Sequence, residues 1–235
     1  MSKVYIYISI ITMLQSVCVF SQTEKKLLRK GYDAYFSGQP LEATNYFSSS
    51  LKEKPDYYKA NFNLGDGLYR TAEAILAGKI APPNKRMTKD SAANLVFDQA
   101  AQQFEVVAKS VSNADTIQRA WHNYGNSKLR QKSYEDAIYG YKKALKINPK
   151  DEDTRYNLAY AQRELKKQQD QQKKNDKDKK DDQKKDGEKP EDKKDQGEKD
   201  KENINNQNDK DKQEAQQPQM TKEQAEQVLN ALKNA

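Results

Sequence analysis

Residues 121–149 read WHNYGNSKLRQKSYEDAIYGYKKALKINP and hold the only tryptophan and the only histidine of the chain. Within this stretch Gly125, Ala137 and Pro149 follow one another at equal steps of twelve residues. An enzyme would use the tryptophan, the histidine and the tyrosines for chemistry, whereas a packing unit needs small residues at fixed spacing. The regular steps favour the packing unit.

The same steps occur near the start of the chain. Gly31, Ala43 and Pro55 are again twelve residues apart, and Gly31 and Gly65 are separated by 34 residues. Self-similarity at this period is typical of helical repeats, in which each unit buries its apolar face against the next. Small residues let two crossing helices approach closely, and the proline ends the second helix.

This order of tryptophan, glycine, alanine, aromatic residue and proline resembles the tetratricopeptide repeat (TPR) family from residue 24 to about residue 165. The predicted fold class is all-α: a TPR helical solenoid of about three repeats plus a capping helix, with a disordered charged C-terminal tail. The TPR domain is predicted over 22–165, with repeats at 24–57, 58–117 and 118–151 and the capping helix at 152–165.

The second repeat is irregular. Gly65 and Ala100, the packing glycine and alanine, are 35 residues apart instead of twelve. We therefore predict a 23-residue insertion at about 71–96, in which Pro82 and Pro83 indicate a loop after an extended first helix. A loop that contacts a partner and a tolerated surface loop remain alternatives.

Residues 1–21 predict a secretory signal peptide, because one lysine precedes an apolar run from Val4 to Phe20 and a cleavage site ahead of Gln22. A retained membrane anchor is the alternative. The only cysteine, Cys18, lies in this run, so the mature chain would have no disulfide, cysteine ligand or cysteine nucleophile. We expect an exported protein, periplasmic or membrane-associated.

Charge and motifs argue against several functions. The formal net charge of +7 is a mild excess spread among carboxylates, whereas nucleic-acid-binding domains concentrate basic residues on one face. His122 has no serine or cysteine nucleophile arranged beside it. The acidic run from Asp151 to Asp153 lacks the spacing of a calcium loop. We predict no nucleic-acid partner, catalytic residue, cofactor or metal site, and hence no enzyme.

The TPR resemblance implies that the first helix of each repeat lines a groove, with positions 2, 5, 9 and 12 on one side. Tyrosine, asparagine and basic residues there suit a bound peptide, although some of the aromatic residues would instead only fill the stack. A groove that captures a C-terminal carboxylate is not predicted, because Asp66 and Asp153 stand where an amide and a cation are needed. The predicted partner-binding residues are Lys59, Phe62, Tyr69, Arg119, His122, Asn126, Tyr156, Asn157 and Tyr160.

The C-terminal part divides into a tract and a short helix. Residues 166–219 are rich in Lys, Asp and Gln with equal numbers of basic and acidic residues, which predicts a disordered linker. Residues 220–235, MTKEQAEQVLNALKNA, predict an amphipathic helix whose apolar side includes Val228, Leu229 and Leu232. This helix would dock on the repeats or on another protein, and the long tether favours the other protein.

Three segments together resemble the exported TPR proteins of the Bacteroides aerotolerance (Bat) operons, of the BatC type. They are HNYGNSKLRQKSYEDAIYGYKKALKINPKDEDTRYNLAYAQ, the charged tract and the terminal QMTKEQAEQVLNAL. The resemblance implies a scaffold in a membrane-associated complex with von Willebrand A-type proteins, linked to oxidative-stress tolerance. Peripheral membrane association is compatible with it. The alternative is a general periplasmic TPR adaptor, or a chaperone-like protein of envelope assembly.

Overall fold

The computed structural model describes residues 23–185, with side chains to residue 173. Seven helices and no strand form within this range. Two compact units are distinguished, with the boundary after Gln162. The helices are α1 (23–36), α2 (Pro40–Glu53), α3 (Tyr58–Leu76), α4 (Lys89–Ser110), α5 (Ala114–Arg130), α6 (Tyr134–Ile147) and α7 (Glu152–Lys185).

Three consecutive helix pairs, α1/α2, α3/α4 and α5/α6, form the first unit together with the start of α7. From α2 to α6, each helix packs against the next one in the chain. The pairs coincide with the three predicted repeats, and α7 begins where the capping helix was expected. The all-α TPR solenoid predicted from the sequence is confirmed for these residues.

One contact recurs inside all three pairs. A Cβ atom added at Gly65 would lie 2.8 Å from the Phe104 ring, and one at Gly125 would lie 2.5 Å from the Tyr141 ring. Gly31 faces Phe47 in the same way. The rings of Phe47, Phe104 and Tyr141 are at most 1% exposed, so they fill the space that glycine leaves open.

The alanines of the repeat are equally buried. Ala43, Ala100 and Ala137 are each 0% exposed, at the points where the second helices pack. Trp121 is 6% exposed and packs edge-on against Tyr124, with ring centroids 5.5 Å apart. The tryptophan of the quoted stretch is thus a core residue.

The turns inside the first and third pairs share a backbone conformation but not a residue type. Gly38 has a φ of 74°, and Lys132, at the equivalent position of the third repeat, has a φ of 60°. This left-handed conformation favours glycine, since other side chains crowd the backbone there. The repeat geometry therefore holds Lys132 in a conformation that its side chain disfavours.

The insertion of the second repeat is mainly helical. The first helix is extended through Leu76, as expected, but α4 begins at Lys89 rather than near Ala100, so only 77–88 connects the helices. Thr88 caps α4 by accepting a hydrogen bond from the Ser91 backbone N–H at 3.1 Å. The loop around Pro82 and Pro83 is shorter than the insertion because the added turns bury a core of their own, formed by Ala72, Ile75, Ala92, Ala93, Val96 and Phe97.

The helix expected to end at residue 165 continues to Lys185 and takes in the first part of the predicted linker. Lysine and glutamine are good helix formers, and no proline occurs between Pro149 and Pro190. Glu164 also pairs with Lys167 one turn later, with Nζ and Oε1 2.9 Å apart. The remainder of the linker and the terminal helix with Val228, Leu229 and Leu232 lie outside the described residues.

No helix within 23–185 is both long enough and apolar enough to cross a bilayer. The signal peptide predicted for 1–21 lies outside the described residues.

We expect the change Gly125→Ala to lower the free energy of unfolding by about 2 kcal/mol, because the methyl group would overlap the buried Tyr141 ring. Helix propensity alone would favour alanine by about 1 kcal/mol, so the sign of the change separates the two effects. Urea unfolding followed by circular dichroism measures it. As a control, Gly125→Ala should cost less in a Tyr141→Leu background than in the wild type, and a stabilised single variant would contradict the close approach.

Candidate functional site

The first helices of the pairs, α1, α3 and α5, and the first part of α7 form one side of the repeat unit, here called the helix A face. On α3 the residues Phe62, Asp66, Tyr69 and Glu73 are spaced by four, three and four positions, which places them on one side of the helix. This row continues past the end of a regular repeat because α3 is extended. On the helix A face, the row of α3 is therefore longer than the rows of α1 and α5.

A polar cavity of about 330 Å³ opens on the helix A face. Tyr69 and Asn126, two of the predicted partner-binding residues, line it together. The other lining residues are Tyr35, Asp66, Arg70, Glu73, Phe104 and Asn123. The cavity therefore draws on all three repeats.

Asn126 is held in one orientation. Its Oδ1 accepts hydrogen bonds from the Tyr141 hydroxyl at 2.9 Å and from Asn157 Nδ2 at 3.1 Å. Two donors occupy both lone pairs of an amide oxygen, so the amide nitrogen is left to supply N–H donors to the cavity. Asn157, also predicted from the sequence, acts on the cavity through Asn126 and does not line it.

Asp66 is the most perturbed group in the cavity. Burial raises the pKa of its carboxyl to about 6, and Arg119 and Arg70 offset only part of that effect. The Asn123 amide donates one hydrogen bond to Asp66 Oδ1 at 3.2 Å. At neutral pH the cavity thus holds a desolvated carboxylate that accepts a hydrogen bond from a neutral amide.

Glu73, the second carboxylate, is balanced by cations. Its oxygens lie 3.3 Å from Arg70 Nη1 and 3.8 Å from Arg130 Nη2. Arg70 Nε also donates to the Tyr35 hydroxyl at 3.4 Å. Two guanidinium groups therefore neutralise Glu73, while no ion pair in the described part of the chain includes Asp66.

A larger apolar cavity of about 840 Å³ adjoins the polar one. The two share a wall made of Tyr35, Arg70 and Glu73. Phe36, which is 81% exposed, and Leu41, which is 49% exposed, line the apolar cavity. The remaining lining residues come from the α1–α2 turn, from α2 and from the end of α3 with the loop after it: Gly38, Gln39, Pro40, Glu42, Asn45, Ala74, Ala77, Lys79 and Ile80.

His122 is engaged inside the protein. Its Nδ1 lies 2.6 Å from Thr154 Oγ1, and the Thr154 hydroxyl donates to Asp151 Oδ2, also at 2.6 Å. Because the hydroxyl gives its proton to Asp151, it accepts one from the histidine ring. Asp151 Oδ1 in turn accepts from the Thr154 backbone N–H, which caps α7. Burial lowers the pKa of His122, so the ring is neutral at neutral pH and fixes the start of α7 on α5.

The other predicted residues lie elsewhere. Phe62 is only 9% exposed: it packs edge-on against Phe104, and Arg119 lies over its ring at 5.2 Å. Its position in the core leaves Arg119, not Phe62, at the surface. Lys59 and Arg119 are exposed, and Tyr156 and Tyr160 are half-buried on α7. None of these lines the polar cavity.

Sequence reasoning missed Asn123, Arg70 and Glu73 as members of the site. They occupy repeat positions 6, 13 and 16, outside the four positions used for prediction. A signal for Glu73 was available, since the i, i+4, i+7 and i+11 series from Phe62 reaches it once the helix is extended. Asn123 had no such signal, because its role depends on its pairing with Asp66.

Three comparisons with known proteins bear on this fold. The family described as TPR repeat matches residues 125–165. No curated protein matches the chain.

Solved structures similar to this chain include three, all at low identity. The first TPR of Spaghetti (RPAP3), bound to the HSP90 peptide SRMEEVD, is 16% identical, with a TM-score of 0.44 over 62% of this chain and 94% of that one. The first TPR domain of human RPAP3 is 15% identical, with a TM-score of 0.45 over 63% and 97%. MamA 41-end from Desulfovibrio magneticus RS-1 is 16% identical, with a TM-score of 0.22 over 59% and 83%. The family match and the repeated glycine–aromatic packing make this an all-α, TPR-type helical repeat fold.

Proposed function

We propose that this chain is a non-enzymatic scaffold that binds a segment of another protein on its helix A face, centred on the polar cavity. The single observation that carries the proposal is the burial of the Asp66 carboxylate without an ion pair among the described residues. A carboxylate held out of water without an ion pair destabilises the folded protein, and a binding partner is what would compensate for it. The TPR match supports a protein as the partner, since stacked repeats offer extended binding surfaces.

The site geometry supports binding rather than catalysis. Its polar groups are two amides, tyrosine hydroxyls and paired charges, whose N–H, O–H and carbonyl groups suit a peptide backbone. The one histidine of the chain is a neutral ring that is bound to the Thr154 hydroxyl at the start of α7. A peptide in extended form would use the fixed N–H groups of Asn126 as its central contact.

For the setting of this scaffold we propose an exported protein in a membrane-associated complex of the Bat type, with von Willebrand A-type proteins as partners and a role in oxidative-stress tolerance. The support is the resemblance of the third repeat, the charged tract and the terminal motif to BatC-type proteins, together with the signal-like N-terminus. A general periplasmic adaptor is the second candidate, supported by the same N-terminus.

We expect the change Asp66→Asn to stabilise the protein at pH 7.5 by up to about 3 kcal/mol. The folded pKa of about 6 exceeds the ordinary value of 3.8, so Asp66 destabilises the fold fully above pH 6. That penalty disappears as the pH falls through 6 towards 3.8, so the gain should vanish near pH 4. Urea unfolding at the two pH values measures this. Asp33→Asn, at an exposed position of α1, is the matched control and should change little at either pH.

A photo-crosslinking amino acid at Lys59, exposed on the helix A face, should capture a protein partner in intact cells, whereas the same group at Leu95, exposed on α4, should not. Mass spectrometry then identifies the partner. A von Willebrand A-type protein would support the Bat-type complex, and another envelope protein would support the general adaptor. Capture from Leu95 but not from Lys59 would contradict binding on the helix A face.

The export proposal predicts that the protein isolated from its cells begins at Gln22. N-terminal sequencing measures this directly. A protein that still carries residues 1–21 would contradict cleavage and favour the retained anchor.

A further inference from the structure

We propose that the polar cavity takes a lysine or arginine side chain of the bound segment, and that the adjoining apolar cavity takes a large apolar side chain next to it. This inference rests on the proposed function and names the chemistry of the partner. Its starting point is the charge that the cavity leaves unbalanced.

Asp66 provides the anionic end of the site. The Asn123 amide uses one of its oxygens, and no lysine or arginine of the described residues lies within ion-pair distance of it. A cation with N–H donors would satisfy the remaining acceptor capacity and balance the charge. A ligand carboxylate would instead face the unpaired Asp66 carboxylate and be repelled.

The rings around Asp66 point to the same ligand. Tyr35, Tyr69 and Phe104 line the cavity from three different helices. Aromatic faces attract ammonium and guanidinium groups, more strongly where water is excluded. A carboxylate that shares a cavity with aromatic rings therefore suits a basic side chain, whose aliphatic stem packs on the rings while its charged end reaches Asp66.

The nearby arginines do not replace such a ligand. Arg70 is held by Glu73 and the Tyr35 hydroxyl, and Arg119 lies over the Phe62 ring. Both lower the pKa of Asp66 at a distance but leave it well above its ordinary value. The cations of the protein are thus committed to other partners, and the site remains incomplete.

The apolar cavity extends the recognition. It shares Tyr35, Arg70 and Glu73 with the polar cavity, so one chain segment can cross the shared wall. Phe36 is 81% exposed at this place, which is unusual for a phenylalanine and leaves apolar surface for a partner to cover. A segment with a basic residue beside a leucine, isoleucine or phenylalanine fits both cavities.

The test uses the full chain and fluorescein-labelled peptide libraries with random flanks and a fixed central residue, either lysine, arginine, glutamine or glutamate. Fluorescence anisotropy should show the lysine and arginine libraries binding at least about tenfold more tightly than the glutamine library, the order expected for one charged hydrogen-bonded contact. The Asp66→Asn variant should lose this preference, and the Asp33→Asn control should keep it. Equal binding of all libraries, or preference for glutamate, would overturn the inference.

A pH series gives a second readout. A cation favours the charged form of Asp66, so the preference for lysine should grow as the pH rises from 5 to 7.5 and should be flat in Asp66→Asn. The groups that face Asp66 are Arg70, Glu73 and Tyr69 on α3, Tyr35 on α1 and Arg119 and Asn123 on α5. The arginines stay charged over this range, and burial raises the pKa of Tyr69 to about 12, which keeps it neutral. A preference that does not change with pH would count against Asp66 as the contact.

Two further variants test the role of the apolar cavity. Phe36→Ser should weaken binding of lysine-library members that carry an apolar neighbour, whereas Leu95→Ser, at another exposed apolar position, should not. Equal effects of the two changes would contradict the apolar half. If no library binds while a crosslinker at Lys59 still captures a protein, the basic-segment inference fails and the scaffold proposal stands.

Discussion

The close approach of a glycine to a buried aromatic ring is the contact on which the rest of this structure depends. Gly31, Gly65 and Gly125 each leave room for a ring of the partner helix, and the rings of Phe47, Phe104 and Tyr141 fill that room completely. Because this contact fixes the distance between two helices, it also fixes which side of the first helix remains outside. The helix A face is thus a consequence of where the glycines stand.

The three helix pairs depend on this contact and were predictable from the sequence. The length of α4 and the burial of Phe62 depend on other core contacts and were not. Twelve-residue steps located the first and third pairs, and the 34-residue distance from Gly31 to Gly65 located the second, because small residues at a crossing are a strict steric requirement. The length of α4 was missed, since its added turns are stabilised by Ile75 and Phe97, whose packing becomes visible only when both helices are extended. The burial of Phe62 was likewise hidden, because it depends on Phe104 of the delayed second helix and on Arg119 from another repeat.

A similar distinction separates His122 and Asn126, the two predicted partner-binding residues of the stretch 121–149. His122 and Asn126 are four positions apart on α5, so the helical period placed both on the helix A face. His122 is nevertheless occupied by Thr154, and Asn126 is oriented by Tyr141 and Asn157. Periodicity determines the direction of a side chain, whereas its availability depends on neighbours that are more than ten positions away. Asn126 serves the cavity because its partners take only its oxygen.

The insertion of the second repeat explains why the site lies where it does. In the first and third repeats the first helix ends at repeat position 13, which in the second repeat is Arg70. Glu73, Ala74, Ala77 and Ile80, which line one or both cavities, therefore exist at this place only because α3 continues. The added turns of α4 bury the opposite side of the extended helix. An insertion that stabilises itself in this way can carry a binding surface without weakening the repeat stack, because its fully packed core residues, such as Ile75 and Phe97, line neither cavity, while Tyr69 and Ile80 pack against that core and also line a cavity.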